Sequence, residues 1–203
     1  MKEIIKQMNS FVSVLNEKDT IAKLIVYYNS KFYVVVLLKQ EDRLKSNLES
    51  INALLTLGNV EDAYTIFRKY LETYFVIMSV LENITIVEKY MLHDLYLGYK
   101  ACGEKKEEIK KFKCGKPDGY LEYGYLEGVV ETKGPDFKYT MKSVCIAAKM
   151  RDYYQWYNIC SNFVHNNLSS VKIDQKEGKE KLIDKCRTLT EHMTDRFRVL
   201  VNI

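Results

Sequence analysis

Proline is almost missing from this chain: there are 2 in 203 residues, Pro117 and Pro135. Residues 1–116 therefore meet no imposed helix break. Glycine is sparse too, at 9. Five of them (Gly115, Gly119, Gly124, Gly128 and Gly134) fall with both prolines between Cys114 and Pro135. Long apolar runs are absent. The longest, Phe32 to Leu38, falls far short of the ~20 residues of a membrane span, so no membrane partner is expected. The N-terminus, Met1 to Lys6, carries an acid at Glu3 and no apolar core ending in small residues. That excludes an export signal and points to the cytoplasm. Charge of one sign is not massed anywhere: 31 Lys and Arg against 27 Asp and Glu give +4, spread along the chain. There is no basic tail and no duplex-DNA motif. Five cysteines, an odd number without close pairing, read as reduced buried thiols.

Most enzyme signatures are missing as well. The chain has no G-x-x-x-x-G-K-[ST] loop, no G-x-G-x-x-G after a strand, no G-x-S-x-G elbow, no H-E-x-x-H and no C-x-x-C. A nucleotide-cradling α/β fold is excluded. Cys102 and Cys114 lie too far apart for a zinc knuckle, and His93 adds nothing at ligand spacing. No cofactor and no metal are expected.

What is present is helical periodicity. Asn59 is a good N-cap, Glu61 and Asp62 favour the first turn, and Gly58 closes whatever precedes. Val60, Tyr64, Phe67, Leu71, Tyr74, Met78 and Leu81 alternate steps of four and three, which puts them on one buried stripe. Upstream, Phe32 to Leu57 reads as a long helix despite Val34, Val35 and Val36, and pairs with the Asn59 helix as an antiparallel hairpin. A third long helix is expected over Asn83 to Cys102, then a solvated charge run from Glu104 to Lys113. The Tyr/Gly-rich stretch at about 114–135 is a long loop pinned by Tyr120, Tyr123, Tyr125 and Leu126. Helices resume over about Asp136 to Met150, Asp152 to Asn167 and Glu177 to the end. Leu182, Cys186, Leu189, Met193, Phe197 and Leu200 form the last buried stripe. With an N-terminal helix over about 3–28, the chain reads as a single all-α domain, an antiparallel helical bundle of about six or seven helices.

Two polar strips stand out. Tyr157, Ser161 and His165 step by four along one helix face, while Trp156, Cys160, Phe163 and Val164 supply the apolar side. A hydroxyl one turn from an imidazole orients it, and an imidazole titrates near neutral pH, so the strip suits acid–base work. The same strip equally suits a histidine satisfied in a polar seam between helices. On the Asn59 helix, Glu61, Thr65, Arg68 and Glu72 follow at three- or four-residue steps, placing Arg68 and Glu72 to pair. The two strips are expected to face one another.

The order Gly58, Ala63, Arg68, Glu72 on one helix, then Y-G-Y-L at Tyr123 to Leu126, then Tyr157, Ser161, His165 resembles an uncharacterised bacterial all-helical domain family. The resemblance covers about residues 40–170. That family is in turn similar to the HEPN bundles (higher eukaryotes and prokaryotes nucleotide-binding), many of which are metal-independent ribonucleases of toxin and antiviral systems. HEPN nucleases carry R-x(4–6)-H, the arginine gripping the phosphate and the histidine handling the proton of the attacking 2′-hydroxyl. Here Cys160, Ile159 and Asn158 stand at those offsets before His165, so the resemblance leaves the guanidinium to Arg68 on another helix. A literal R-x-x-x-x-H occurs at Arg187 to His192 and is the runner-up pair. Residues five apart on a helix point about 140° away from each other.

Two functions follow. In one, RNA is cleaved without a metal, with His165 as acid or base, Arg68 on the phosphate, and Tyr157, Ser161 and Glu72 positioning them. In the other, a non-catalytic adaptor or sensing domain uses the same seam for a small ligand or a partner helix, with the Tyr-rich loop closing over it; the expected partners are RNA or a nucleotide, and a homodimer or protein partner. The 16 tyrosines, apolar with a polar tip, suit such a contact surface.

Overall fold

The computed structural model describes residues 1–29, 31–82, 140–164 and 174–201. Among these residues the protein is all helix: seven α-helices and one 3-10 turn, with no strand. None of the described helices is long and apolar enough to cross a membrane. The expected helix at Asn83 to Cys102, the Glu104 to Lys113 charge run and the Tyr/Gly loop at about 114–135 lie outside the described residues.

The N-terminal part is two helices where the sequence suggests one. Helix α1 (Lys2–Leu15) buries Ile4, Met8, Phe11 and Leu15, and α2 (Lys18–Tyr28) buries Thr20, Leu24 and Tyr28. The break needs neither glycine nor proline. Glu17 is extended, with ψ 135°. The Asn16 amide donates to the Val12 carbonyl at 2.9 Å and to Glu41 Oε1 at 2.7 Å, so a contact with the next long helix stops this one.

That next helix, α3 (Lys31–Thr56), turns Val34, Leu37, Leu44, Leu48, Ile51 and Leu55 inward. Glu41 occupies one place in this apolar stripe and is 2% exposed. Helix α3 ends in a Schellman turn: Asn59 N–H donates to the Leu54 carbonyl at 2.9 Å, and Gly58 adopts φ +78°. Asn59 then caps α4 (Val60–Glu82) by accepting from Asp62 N–H at 3.4 Å.

Helix α4 is the centre of the fold. All seven residues of the expected stripe are buried, and from Thr73 to Leu81 every residue is buried. One stripe cannot account for this. It arises because α4 is packed on several sides, by α3 and by three later helices: α5 (Met141–Ala147), α6 (Tyr154–Val164) and α7 (Gln175–Val201). Within the expected Asp136 to Met150 helix, the described helical part starts at Met141, capped by Thr140, and ends at Ala147; Lys149, in the turn that follows, takes φ +58°. A 3-10 turn at Arg151–Tyr153 leads into α6.

Tyrosines join α4 to α7 in a row. Tyr64 donates to the Gly178 carbonyl at 3.1 Å, Tyr70 meets Thr190 at 3.1 Å, and Tyr74 meets His192 Nδ1 at 2.8 Å. The order of these contacts shows that α7 runs alongside α4 in the same direction. Each ring adds apolar area while its hydroxyl finds a partner, which makes tyrosine well suited to this interior. On α7 the buried stripe ends at Val201, with Leu200 only partly buried. Phe11 sets its ring edge-on to Phe197, with centroids 5.0 Å apart, and so brings α1 onto α7. Cys145, Cys160 and Cys186 are free and buried; burial pushes the Cys145 and Cys160 thiols up to about 12. Cys102 and Cys114 lie outside the described residues.

Candidate functional site

Helix α6 is fastened to α4 by its apolar side. Cys160 is buried, and the Phe163 ring stacks on Tyr64 with centroids 5.3 Å apart. Trp156 packs edge-on against Tyr153 at 4.7 Å and lies 4.0 Å beneath the Lys185 ammonium. Val164, expected on this apolar side, is 37% exposed, because the helix has turned it past the contact. With α6 fixed in this way, Tyr157 points across to the flank of α4 that carries Arg68 and Glu72.

The three polar groups close a triangle. Arg68 Nη2 donates to the Tyr157 hydroxyl at 2.9 Å, and that hydroxyl donates to Glu72 Oε1 at 3.1 Å. Arg68 Nη2 and Glu72 Oε1 are 3.4 Å apart, with side chains 24% and 35% exposed. The guanidinium also lies over the Tyr157 ring, 5.1 Å from its centroid, so the aromatic face and the hydroxyl both hold it. Tyr154 stacks on Tyr157 at 5.6 Å and steadies the ring. The i, i+3 spacing on α6 is the signal that could have drawn attention to Tyr154.

Electrostatics keep both members of the cross-helix bond in their ordinary forms. Burial pulls the Arg68 guanidinium down, but the Tyr157 hydroxyl and the Glu72 charge outweigh it and hold it above its usual value. Burial pushes the Tyr157 phenol up against the opposing pull of Arg68. At neutral pH the site is therefore a cation braced by a neutral hydroxyl. Arg68 Nε is buried and has no hydrogen-bond partner among the described residues. An unmet donor of this kind is uncommon in a folded interior and marks a place where an acceptor is wanting.

The remaining candidates fall differently. Ser161 Oγ donates to the Tyr157 carbonyl of its own helix at 2.9 Å and stays out of the triangle. His165 lies outside the described residues. Arg187 is exposed and pairs with Asp184 at 3.3 Å, whereas His192 pairs with Tyr74 at 2.8 Å. The structure does not bring Arg187 and His192 together, as their five-residue separation on one helix requires. Among the described residues, no three His, Cys, Asp or Glu side chains gather closely enough to hold a metal ion.

Residues 43–180, more than half of the chain, match a family of unknown function, DUF5677. The chain belongs to that family. The DUF5677 match takes in positions 68, 72, 157, 161 and 165, and leaves 187 and 192 outside. No curated protein and no solved structure matches the chain.

Proposed function

We propose that the seam between α4 and α6 binds the phosphate of an RNA strand in the manner of a HEPN-like bundle. Arg68 is the cation that receives it. His165 takes the proton of the attacking 2′-hydroxyl, so that the 2′-oxygen bonds to phosphorus as the bond to the 5′-oxygen breaks. The departing 5′-oxygen takes up a proton from water, leaving a 2′,3′-cyclic phosphate and a 5′-hydroxyl. The step needs no metal, and Tyr157 and Glu72 act on it by positioning Arg68. A toxin or phage-defence role in the cytoplasm is the setting that the resemblance implies.

The observation that carries this reading is the Arg68 to Tyr157 hydrogen bond at 2.9 Å, between residues 89 positions apart in the chain. It joins the arginine strip to α6, whose last described residue, Val164, precedes His165 in the sequence. A non-catalytic reading, in which the seam senses a ligand, is favoured by two details: Glu72 already sits 3.4 Å from Arg68, and the Ser161 hydroxyl is spent on its own helix.

The full chain incubated with a labelled single-stranded RNA in the presence of a chelator separates the two. The nuclease reading expects cleavage, its loss in Arg68→Ala, and its loss with binding retained in His165→Ala. Binding without cleavage in the wild-type protein moves the account to the sensing function. Neither binding nor cleavage removes both.

A further inference from the structure

A second polar site lies roughly 20 Å along α4 from Arg68, at ~1.5 Å per residue. A cavity of about 270 Å³ opens there between the end of α4, the turn after α5, and α7. It is lined by Glu82, Ala148, Lys149, Met150, His192 and Arg196. Neither the catalytic strip nor the Arg187 to His192 motif accounts for it.

Hydrogen-bond donors outnumber acceptors around this space. Both oxygens of Glu82 are taken, Oε1 by Arg196 and Oε2 by Lys149 Nζ at 2.9 Å. Burial pushes the Glu82 carboxyl up, but its two cations outweigh that and leave it below the ordinary carboxylate value. It is thus ionised at neutral pH, and two cations on one carboxylate leave one positive charge over. Arg196 Nε is buried with no partner among the described residues.

His192 adds a ring nitrogen to the lining. Burial pushes the Tyr74 phenol far up, so it keeps its proton, and its hydroxyl lies 2.8 Å from His192 Nδ1. With the phenol donating to Nδ1, the ring's hydrogen is on Nε2, a tautomer assigned from the partner. Lys149 closes α5 at φ +58°, a place helices commonly give to glycine. The side chain that glycine would lack is the one that lines the cavity.

We propose that this cavity binds a small tetrahedral oxyanion of the phosphate class, inorganic phosphate or a phosphomonoester, with Arg196, Lys149 and His192 as donors. Glu82 holds the two cations in place, and its charge keeps the affinity modest. The site does not depend on the RNA reading of the α4–α6 seam.

The test is a titration of the nitrogen-15-labelled full chain with inorganic phosphate and, separately, glycerol phosphate, at constant ionic strength, following the His192 ring signals. A saturable shift with a dissociation constant of about 1 mM is expected. Arg196→Gln should weaken it at least about tenfold, and Arg68→Gln should leave it unchanged. Lys149→Gln, at an exposed turn, carries the same expectation as Arg196→Gln should that variant fail to fold. Whichever of the two probes binds more tightly identifies the source of the oxyanion. A shift no different from that of chloride, or one that Lys149→Gln and a folded Arg196→Gln leave intact, overturns the proposal.

Discussion

Replacing Tyr157 by Phe tests the brace between α4 and α6 with little else changed. The ring stays, so its stacking on Tyr154 and its place under the Arg68 guanidinium are kept. What goes is one hydroxyl and two hydrogen bonds, 2.9 Å from Arg68 Nη2 and 3.1 Å to Glu72 Oε1. Bonds to charged partners contribute about 1.5–3 kcal/mol each when buried. The Arg68 and Glu72 side chains are 24% and 35% exposed, so water takes over part of each bond. The expected net loss is about 1 kcal/mol, or roughly 2–4 °C in Tm for a chain of this size. Urea unfolding followed by circular dichroism measures it. A double-mutant cycle with Arg68→Ala isolates the part that belongs to the pair. The reasoning predicts a coupling of about 0.5–1 kcal/mol between the two positions, the larger share of that loss. A coupling within ~0.3 kcal/mol of zero refutes it, because the two groups then do not hold one another in solution.

Two further outcomes follow from single residues. Glu41 is 2% exposed and burial, foremost, raises its carboxyl above the ordinary value, so the folded state binds its proton more tightly than the unfolded chain. Stability then falls as pH rises from the unfolded carboxylate value through the folded one. Glu41→Gln, which removes the charge, should raise the urea midpoint at neutral pH and lose that advantage below about pH 4; equal midpoints at neutral pH contradict this. Gly58 sits at φ +78° with nothing within 4 Å of an added Cβ, so Gly58→Ala should cost about 1 kcal/mol through the backbone alone. An unchanged unfolding midpoint would show that the α3–α4 turn relaxes without strain.

Local signals marked the α3–α4 hairpin clearly. Gly58 and Asn59 are strong punctuation, and the expected Phe32 to Leu57 helix differs from Lys31–Thr56 by one residue at each end. The split between α1 and α2 was hidden, since Asn16 stops the helix through Glu41, 25 positions away. The early end of α5 was hidden too, because a lysine holds the left-handed place where a glycine would have announced it. For the seam, the helical face of each residue was legible from spacing. Which faces meet depends on Phe163 stacking on Tyr64 and on Cys160 being buried, and no local pattern encodes such pairings. The cluster of Glu82, Lys149 and Arg196 left no trace in the sequence, as its members come from three segments with no shared spacing.

The account turns on whether the Arg68 guanidinium takes a nucleic-acid phosphate. Fluorescence anisotropy with a short single-stranded RNA, measured across a salt series for the wild-type chain and Arg68→Gln, tests this directly. Losing one phosphate contact should weaken binding at every salt concentration and lower the slope of log affinity against log salt by about 0.7. Equal affinities and equal slopes for the two proteins would place the RNA, if it binds, somewhere other than the α4–α6 seam.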